Sequence, residues 1–384
     1  MILDIGSRDE QPHQKGIAHF WEHMAFKGTA KRKNYHILNR MESVGGEINA
    51  YTSKEKICFY STQLTEFLDR AIELLTDITF FSVFPEKEIE KERHVILEEM
   101  SMYQDDPSDS IADDFDGLLF SGHSLGYNIL GTKETVSNFQ KSDFHNFINE
   151  NLSTDRIVLS VVSSLSFSKV VKIAQKHLQS ILQKTVERKR IPFKRAGIRN
   201  FAMSKPITQS HCVIGGISCS KFDKLRIPFY LLNNLLGGSG MNSRLNLNIR
   251  EKYGYVYDIQ ANNSTFYDTG YFTISFGTEP KNLLKCIHLV EKELKLLCEK
   301  KLGIGQLHSA KQQLKGQLAI AEEGKLHLML LAGKSILDRG EIESLTSIFS
   351  QIEKITSSQL MEVANRYYAK SNLSQLVYLP ENKN

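Results

Sequence analysis

Two histidines and a glutamate near the start of the chain carry the strongest chemical signal in this sequence. His19, Glu22 and His23 follow the pattern His-x-x-Glu-His. Residues three and four apart in a helix share a face, so two imidazoles and a carboxylate can converge on one ion. Imidazole nitrogens and carboxylate oxygens are zinc ligands in hydrolases. The spacing therefore predicts a hydrolytic zinc site, with two hydrogen-bonded core histidines as the alternative.

The residues around this pattern predict the helix that it requires. Ile17, Trp21, Met24 and Ala25 form an apolar stripe at helical spacing, and Gly28 offers a stop. The order His-x-x-Glu-His is also the reverse of the zinc-peptidase motif His-Glu-x-x-His. A zinc site with an open catalytic position needs a third protein ligand, which must come from another segment.

A charged segment between Pro85 and Pro107 is the best source of that ligand. Its pattern predicts a helix that begins after the first proline and ends before the second. Glu92 and Glu99 are seven residues apart and share a face, whereas Glu98 points about 100° away. A solvated charged helix is the alternative, and spacing alone does not choose among its glutamates.

Length and composition describe a globular protein with two domains. The chain has 384 residues, of which 41% are hydrophobic and 24% charged. We expect the domains to span residues 1–187 and 188–384, with a basic stretch around Glu187–Arg190 joining them.

Several classes of protein are not indicated. No apolar run approaches the ~20 residues of a membrane helix, and the first residues do not resemble a signal peptide, so we expect no membrane partner. A net charge of +4 indicates no nucleic-acid partner. Five scattered cysteines favour neither a disulfide framework nor a cysteine zinc site. The compartment is not encoded, and the cytoplasm is the default.

The two halves show related patterns. Gly45 and Gly254 occupy similar places between a helical segment and a strand, 254 − 45 = 209 residues apart. In the second half, the place equivalent to the metal pattern lies near Phe229–Asn233 and holds no histidine or glutamate. The sequence therefore predicts a worn duplication in which only the first domain can bind zinc.

Five blocks in a fixed order resemble one family, the pitrilysin-type or inverted-zincin metallopeptidases. The nearest branch comprises the mitochondrial processing peptidase subunits and their bacterial relatives. The blocks are Gly6–Glu10, His19–Thr29, Gly45–Ser53, Glu92–Glu99, and His123–Gly126 with Leu130–Thr132.

The resemblance implies an α+β fold. Each of two related domains is expected to hold a mostly antiparallel sheet packed with helices, and together they form half of a four-domain clamshell. Two chains would then be needed, either as a homodimer or as a heterodimer with a related subunit. Family members carry a few dozen residues before the block at Gly6, including an opening strand. The first sheet is therefore expected to lack an edge strand, unless the sequence begins inside the domain.

The resemblance also assigns roles to residues. His19, His23 and Glu99 become the ligands of one zinc ion per chain, because the gap of 99 − 23 = 76 residues matches the family and selects Glu99 over its neighbour. Glu22 becomes the general base, which takes a proton from a zinc-activated water. Glu92 is expected to orient a ligand histidine.

Two further pairs follow from the family blocks. Asn49 and Ala50 precede a β-favouring run, and the family uses this segment as an edge strand that binds peptide substrates. Without the family, an ordinary core strand is equally favoured. Arg250 and Tyr257, seven apart, match a pair that helps to bind substrate and stabilise the oxyanion from an opposing domain. Ordinary packing is the alternative for this pair.

The sequence therefore predicts a zinc metalloendopeptidase that hydrolyses short or unfolded peptides. The alternative is a non-catalytic structural or substrate-presenting subunit of a processing-peptidase-like heterodimer. No local motif encodes the identity of the substrate.

Overall fold

The structure is a computed structural model and describes residues 1–194 and 197–381. The strands are β1 (Ile2–Leu3), β2 (Glu47–Thr52), β3 (Ile57–Thr62), β4 (Ile157–Val158), β5 (Asn200–Lys205), β6 (Ser210–Ser218), β7 (Val256–Thr265), β8 (Gly270–Thr278) and β9 (Ser374–Pro380). The helices are α1 (Ile17–Met24), α2 (Asn34–Glu42), α3 (Leu68–Phe80), α4 (Glu86–Asp105), α5 (Pro107–Leu119), α6 (Lys133–Asn138), α7 (Lys141–Asn151), α8 (Phe167–Leu178), α9 (Arg226–Gly237), α10 (Leu283–Glu299), α11 (Ile304–Glu322), α12 (Lys325–Arg339), α13 (Leu345–Glu353) and α14 (Ser357–Tyr367). None of the helices in these residues is long and apolar enough to cross a membrane.

The chain forms two compact units that interleave along the sequence. The first unit comprises residues 1–101, 127–191 and 321–343. The second comprises the described residues of 102–126, 192–320 and 344–381. The chain thus passes from the first unit to the second at 191/192, four residues after the predicted boundary at 187/188. In addition, residues 102–126 of the first predicted domain belong to the second unit, and residues 321–343 of the second predicted domain belong to the first unit.

The first unit is built on a four-stranded antiparallel sheet in the order β2-β3-β1-β4. Helix α1 packs beside β2, and Phe20, Trp21, Phe59 and Phe144 are fully buried in the core. Helix α12 packs on β1 and β4. Strand β2 is an edge strand, because it pairs only with β3. The other edge of β2, which packs beside α1, has no neighbouring strand within the described residues and is available to a further strand.

The second unit is built on a five-stranded sheet in the order β5-β9-β6-β8-β7. All neighbours are antiparallel except β5 and β9. Helices α9, α10 and α14 pack together around Phe229 and Tyr368, which are fully buried. Helix α5 packs against β6 and β9. Its apolar face explains why residues 102–126 belong here rather than to the first unit.

The two sheets share a strand order, and the expected α+β fold is confirmed. The main elements follow one another as β1, α1, β2, β3 and β4 in the first unit, and as β6, α9, β7, β8 and β9 in the second. Strands that correspond in this chain order take the same positions in the two sheets. In the described residues the first sheet has no counterpart of β5.

The basic stretch that was expected to join the domains belongs to the first unit, where one of its side chains is buried. The side chain of Arg190 is only 4% exposed and bonds Asp9 at 2.7 Å and Asp4 at 3.1 Å. Arg8 also donates to the carbonyl oxygen of Ile191 at 3.0 Å. The sequence shows the basic charges but not their acidic partners, which lie some 180 residues earlier.

Candidate metal centre

Helix α1 presents the His-x-x-Glu-His residues on its polar side. On its other side, Ile17, Trp21, Met24 and Ala25 are fully buried, as the apolar stripe predicted, and Phe20 is buried as well. The helix begins after Gly16, whose φ of 93° is in the left-handed region that favours glycine. The buried face fixes the rotation of the helix, and so fixes the direction in which the polar side points.

The three predicted metal ligands lie together. Nε2 of His19 is 3.8 Å from Oε1 of Glu99, and Nε2 of His23 is 3.6 Å from Oε2 of the same carboxylate. One donor atom from each residue lies within 4.8 Å of the others. Glu98 is exposed on another face of α4, as the helical geometry predicted. Within residues 1–194 and 197–381, no other histidine, cysteine or acidic residues form such a group of three.

This donor set fits a zinc ion. Two imidazole nitrogens and one carboxylate oxygen are a catalytic zinc set that leaves a fourth position open. In a tetrahedral site with bonds of about 2.1 Å, donor atoms stand about 3.4 Å apart. The distances of 3.8 and 3.6 Å between the imidazoles and Glu99 are close to that value.

The electrostatics of the group also suit a cation. Burial, helped by the neighbouring His23, lowers the pKa of His19 to about 3. The His19 ring is therefore neutral at physiological pH and keeps a lone pair for a metal. Burial also raises the pKa of Glu99, against the attraction of His23. Both shifts have burial as their main cause.

Glu92 lies behind His23, where the prediction places it. Its Oε1 accepts a hydrogen bond from Nδ1 of His23 at 2.9 Å, which leaves Nε2 of the ring facing Glu99. Its Oε2 is 2.6 Å from Nζ of Lys27. Burial alone would raise the pKa of Glu92, but the hydrogen bonds from His23 and Lys27 outweigh burial and the pKa lies below its usual value. Glu92 is therefore an ionised partner that fixes the orientation of the His23 ring.

Glu22 lies beside the ligands and is held by a residue of strand β2. Oγ1 of Thr52 donates to Oε2 of Glu22 at 2.6 Å. Burial raises the pKa of Glu22, Glu99 adds to that effect, and Thr52 and His23 oppose it. A carboxylate whose pKa is raised toward neutrality suits a general base.

The predicted substrate residues lie on the free edge of the first sheet. Asn49 is exposed and Ala50 is partly buried, both on β2. The Ala50 N–H bonds to Oδ1 of Asn49 at 2.8 Å rather than to strand β3. The backbone of Ala50 therefore points to the open edge. The structure places both residues where an added strand would pair, and peptide binding there stays a prediction.

Arg250 and Tyr257 lie side by side in the second unit. Arg250 belongs to a π-helical segment, Asn246–Glu251, and its guanidinium lies 5.7 Å from the ring centre of Tyr257. Tyr257 follows the start of β7 at an irregularity between Val256 and Ile259, and is 87% exposed. An exposed tyrosine beside an arginine is unusual for core packing. The substrate role of this pair stays a prediction.

The counterpart of α1 in the second unit holds no metal ligands. In α9, Phe229 packs in the core, and Asn233 donates to the carbonyl oxygen of Ala261 and accepts from the hydroxyl of Tyr368. The side-chain amide of Asn233 thus joins α9 to β7 and to Tyr368 within the core. The structural counterpart of the metal helix is a packing helix, as the apolar sequence predicted.

Sequence reasoning missed two residues that contact the site. In the sequence, Thr52 and Lys27 stand out only as members of the family blocks Gly45–Ser53 and His19–Thr29. Strand alternation places Ile48, Ala50 and Thr52 on one face, which is the signal that could have indicated Thr52. Nothing in the sequence says that this face meets α1. Lys27 gave no signal, since its partner Glu92 lies 65 residues away.

Comparisons with known proteins show which family the chain resembles. The family profile described as insulinase (peptidase family M16) matches residues 1–133, and the profile described as peptidase M16 inactive domain matches residues 138–314. A protein of Bacillus subtilis named an uncharacterized zinc protease is 31% identical over 382 residues, which cover 98% of this chain and 91% of that protein. A Rickettsia felis protein, also named an uncharacterized zinc protease, is 33% identical over 380 residues, with the same two coverages.

Solved structures show the same fold. A crystal structure described as a protease from Helicobacter pylori has a TM-score of 0.89 at 23% identity and covers 99% of this chain and 92% of its own. A structure from Pseudomonas fluorescens, described as a peptidase M16 inactive domain, has the same TM-score at 18% identity. At these identities the likeness concerns the fold alone.

Proposed function

This chain belongs to peptidase family M16, the insulinase family, and on that premise we propose that it is a zinc-dependent endopeptidase of the inverted-zincin type. The observation that carries the proposal is the convergence of His19, His23 and Glu99 with Glu22 beside them. Relatives that align with nearly the whole chain are named zinc proteases. A family member that kept only its fold would not need these donors.

His19, His23 and Glu99 would hold one zinc ion. When bound, the ion supplies a Lewis acid that polarises a peptide carbonyl and makes a nearby water more acidic. Glu22 accepts a proton from that water. Because Thr52 binds Oε2, the other oxygen of Glu22, Oε1, is the atom left to take this proton. Glu22 then returns the proton to the leaving amine.

Two contacts keep these groups in place during turnover. Glu92 accepts the Nδ1 proton of His23, which fixes the tautomer and leaves Nε2 as the donor atom. Lys27 compensates the charge of Glu92. Thr52 restricts the rotation of the Glu22 carboxylate, so that the base does not swing away from the ligands.

The substrate class that we propose is a short or unfolded peptide bound in extended form. Strand β2 has one free edge, and the outward backbone of Ala50 offers the hydrogen bonds that an added strand uses. Main-chain pairing is available to any extended sequence but not to a folded chain. Asn49 would release the Ala50 N–H when a peptide binds.

We also propose that the active protein is a dimer, with a homodimer preferred to a pairing with a related chain. One chain carries the metal ligands on its first unit and the Arg250–Tyr257 pair on its second. In the dimer, zinc of one subunit faces Arg250 and Tyr257 of the other, whose guanidinium and phenol stabilise the developing oxyanion.

The decisive experiment for the chemistry compares wild type with Glu22→Gln. Purified wild type should contain about one zinc per chain and cleave a quenched fluorogenic peptide in a chelator-sensitive way. The variant should keep zinc, because its three ligands are intact, and lose turnover by roughly 10²–10⁴-fold, the usual contribution of a general base. Loss of zinc in the variant would show that the role of Glu22 is misassigned. Wild type that is metal-free, inert and copurified with a related chain would instead support a non-catalytic subunit.

The composite site is tested by mixing two inactive variants. His19→Ala removes a ligand and Tyr257→Phe removes the phenol, so each homodimer should be impaired. A mixed dimer holds one site with both groups intact and should recover part of the activity. If subunit exchange is verified and no activity returns, the two half-sites do not act across a dimer.

A further inference from the structure

Glu10 is a buried carboxylate that the mechanism does not use. It is 4% exposed and precedes α1 by seven residues. Its Oε2 accepts the N–H of Gly16 and its Oε1 accepts the N–H of Ala18, both at 2.9 Å. Ala18 lies in the first turn of α1 and Gly16 is the residue before the helix, and the N–H groups at these positions have no partner within the helix. Both oxygens of Glu10 are thus occupied in capping the helix that carries the metal ligands.

The start of this helix has little support of its own. Helix α1 has eight residues, and helices this short are not stable in isolation. His19 is the third residue of the helix and directly follows Ala18, so the direction of its imidazole depends on how the first turn is held. A carboxylate at a helix N-terminus also interacts favourably with the helix dipole.

A second contact holds the same turn from the other side. A Cβ added at Gly16 would lie 2.5 Å from the carbonyl oxygen of Leu130, and one added at Gly131 would lie 2.3 Å from that of Lys15. Thr135 also donates to the carbonyl oxygen of Lys15 at 2.7 Å. The backbone at Lys15–Gly16 is thus in direct contact with the backbone at Leu130–Gly131. The first turn of α1 has no room to shift toward Leu130 and Gly131.

Glu10 also belongs to a segment that is tied to the end of strand β2. The N–H groups of Ser7 and Arg8 donate to the carbonyl oxygens of Ser53 and Lys54, at 3.2 and 2.7 Å. Thr52, which holds Glu22, directly precedes these two carbonyls. The segment Gly6–Glu10 therefore connects the first turn of α1 to the strand end that positions the base.

We propose that Glu10 is a positioning residue for the metal centre: its carboxylate fixes the first turn of α1, and through it the placement of His19 relative to Glu99 and Glu22. This inference rests on the zinc site of the proposed function. It assigns to Glu10 no contact with zinc, water or peptide.

The test compares Glu10→Gln and Glu10→Ala with wild type by metal affinity. Zinc affinity is measured by competition with a chromophoric chelator, and the visible spectrum of the cobalt-loaded protein reports the coordination geometry. An amide oxygen can still accept one N–H, so we expect zinc affinity to fall less in Glu10→Gln than in Glu10→Ala, by about ten-fold in the former. The cobalt spectrum should change in both variants.

Asp106→Asn is the matched control. Asp106 caps α5 in the second unit through the N–H groups of Ser108 and Asp109, so Asp106→Asn makes the same carboxylate-to-amide change at the cap of a helix that carries none of the metal ligands. We expect its zinc affinity and cobalt spectrum to match wild type. The fluorescence of Trp21 shows whether the first unit of each variant is folded, and circular dichroism shows whether the whole chain is. If Glu10→Ala does not fold, Glu10→Gln decides.

The outcomes separate the inference from the proposed function. Wild-type affinity and spectrum in folded Glu10 variants would overturn the positioning role and leave the zinc site intact. An equal loss in Asp106→Asn would also overturn it, since the effect would then be one of general stability. Wild type that binds no zinc at all would overturn the proposed function itself.

Discussion

The buried neutral state of His19 predicts how the metal-free first unit responds to acid. His19 has an ordinary pKa of 6.5, which burial and the neighbouring His23 lower to about 3 in the folded protein. Between these values the unfolded chain binds a proton that the folded chain does not. The free energy of unfolding therefore falls as the pH drops through this window.

The size of the effect follows from the shift. One pKa unit corresponds to about 1.4 kcal/mol, so acidification from about pH 7 to about pH 5, some 1.5 units below the unfolded pKa, should cost about 2 kcal/mol from His19 alone. Other groups titrate over the same range, including His23 and Glu22, whose pKa values are raised. The contribution of His19 must therefore be isolated by a difference between variants.

The assay uses the single tryptophan of the chain. Trp21 is fully buried on the metal helix, two residues from His19, so its fluorescence reports unfolding of the first unit. Urea unfolding is measured on chelator-treated wild type and His19→Gln at both pH values. Wild type should lose about 2 kcal/mol more than the variant between these pH values. The matched control is His13→Gln, since His13 is exposed and nearby, and it should behave as wild type. Parallel losses in wild type and His19→Gln would refute the reasoning.

Two further predictions concern the site. Glu99→Gln should weaken zinc binding by more than about 100-fold, because a ligand is lost. Glu98→Gln is the control and should leave zinc affinity unchanged. Both affinities are measured by chelator competition, and equal effects would show that the ligand has been assigned to the wrong face of α4. Thr52→Val should lower kcat by about ten-fold, as expected for a lost hydrogen bond to a charged group, with little change in zinc content. Thr52→Ser keeps the hydroxyl and should restore most of the activity, so a serine variant as slow as the valine variant would argue for a packing role instead.

The parts of the site that lie within one helix could be predicted from sequence. Periodicity identified the apolar face of α1 and put Glu98 and Glu99 on different faces of α4, since both depend on rotation about a single axis. The choice of Glu99 came from the family resemblance. The family resemblance then joined α1 to α4. No periodic signal could have indicated that Thr52 meets Glu22, because that contact depends on which face of β2 packs against the helix.

The division of the chain was less predictable for a related reason. A helical pattern shows that a segment has an apolar face, but not which sheet that face covers. Helix α12 follows α11 in sequence, yet it packs on strands of the first unit, where Oγ of Ser160 donates to the carbonyl oxygen of Met329 at 2.7 Å. Gly333 permits this packing, since a Cβ there would lie 2.6 Å from Cδ1 of Ile2. A single domain boundary in the sequence could not describe two units that each contain several separate segments of the chain.

The burial that makes the metal-free centre sensitive to acid also favours metal binding. His19 is kept neutral and the pKa of Glu99 is raised because both groups are withdrawn from water, and the attraction of His23 offsets only part of that effect at Glu99. A divalent cation between them would supply a compensating charge, and the free energy spent on burial in the metal-free state would be recovered on binding. Glu92 differs, because Lys27 and His23 already compensate it. The site thus combines an ionised support, Glu92, with a carboxylate, Glu99, whose charged form burial disfavours, and this contrast favours Glu99 over Glu92 as the proposed metal ligand.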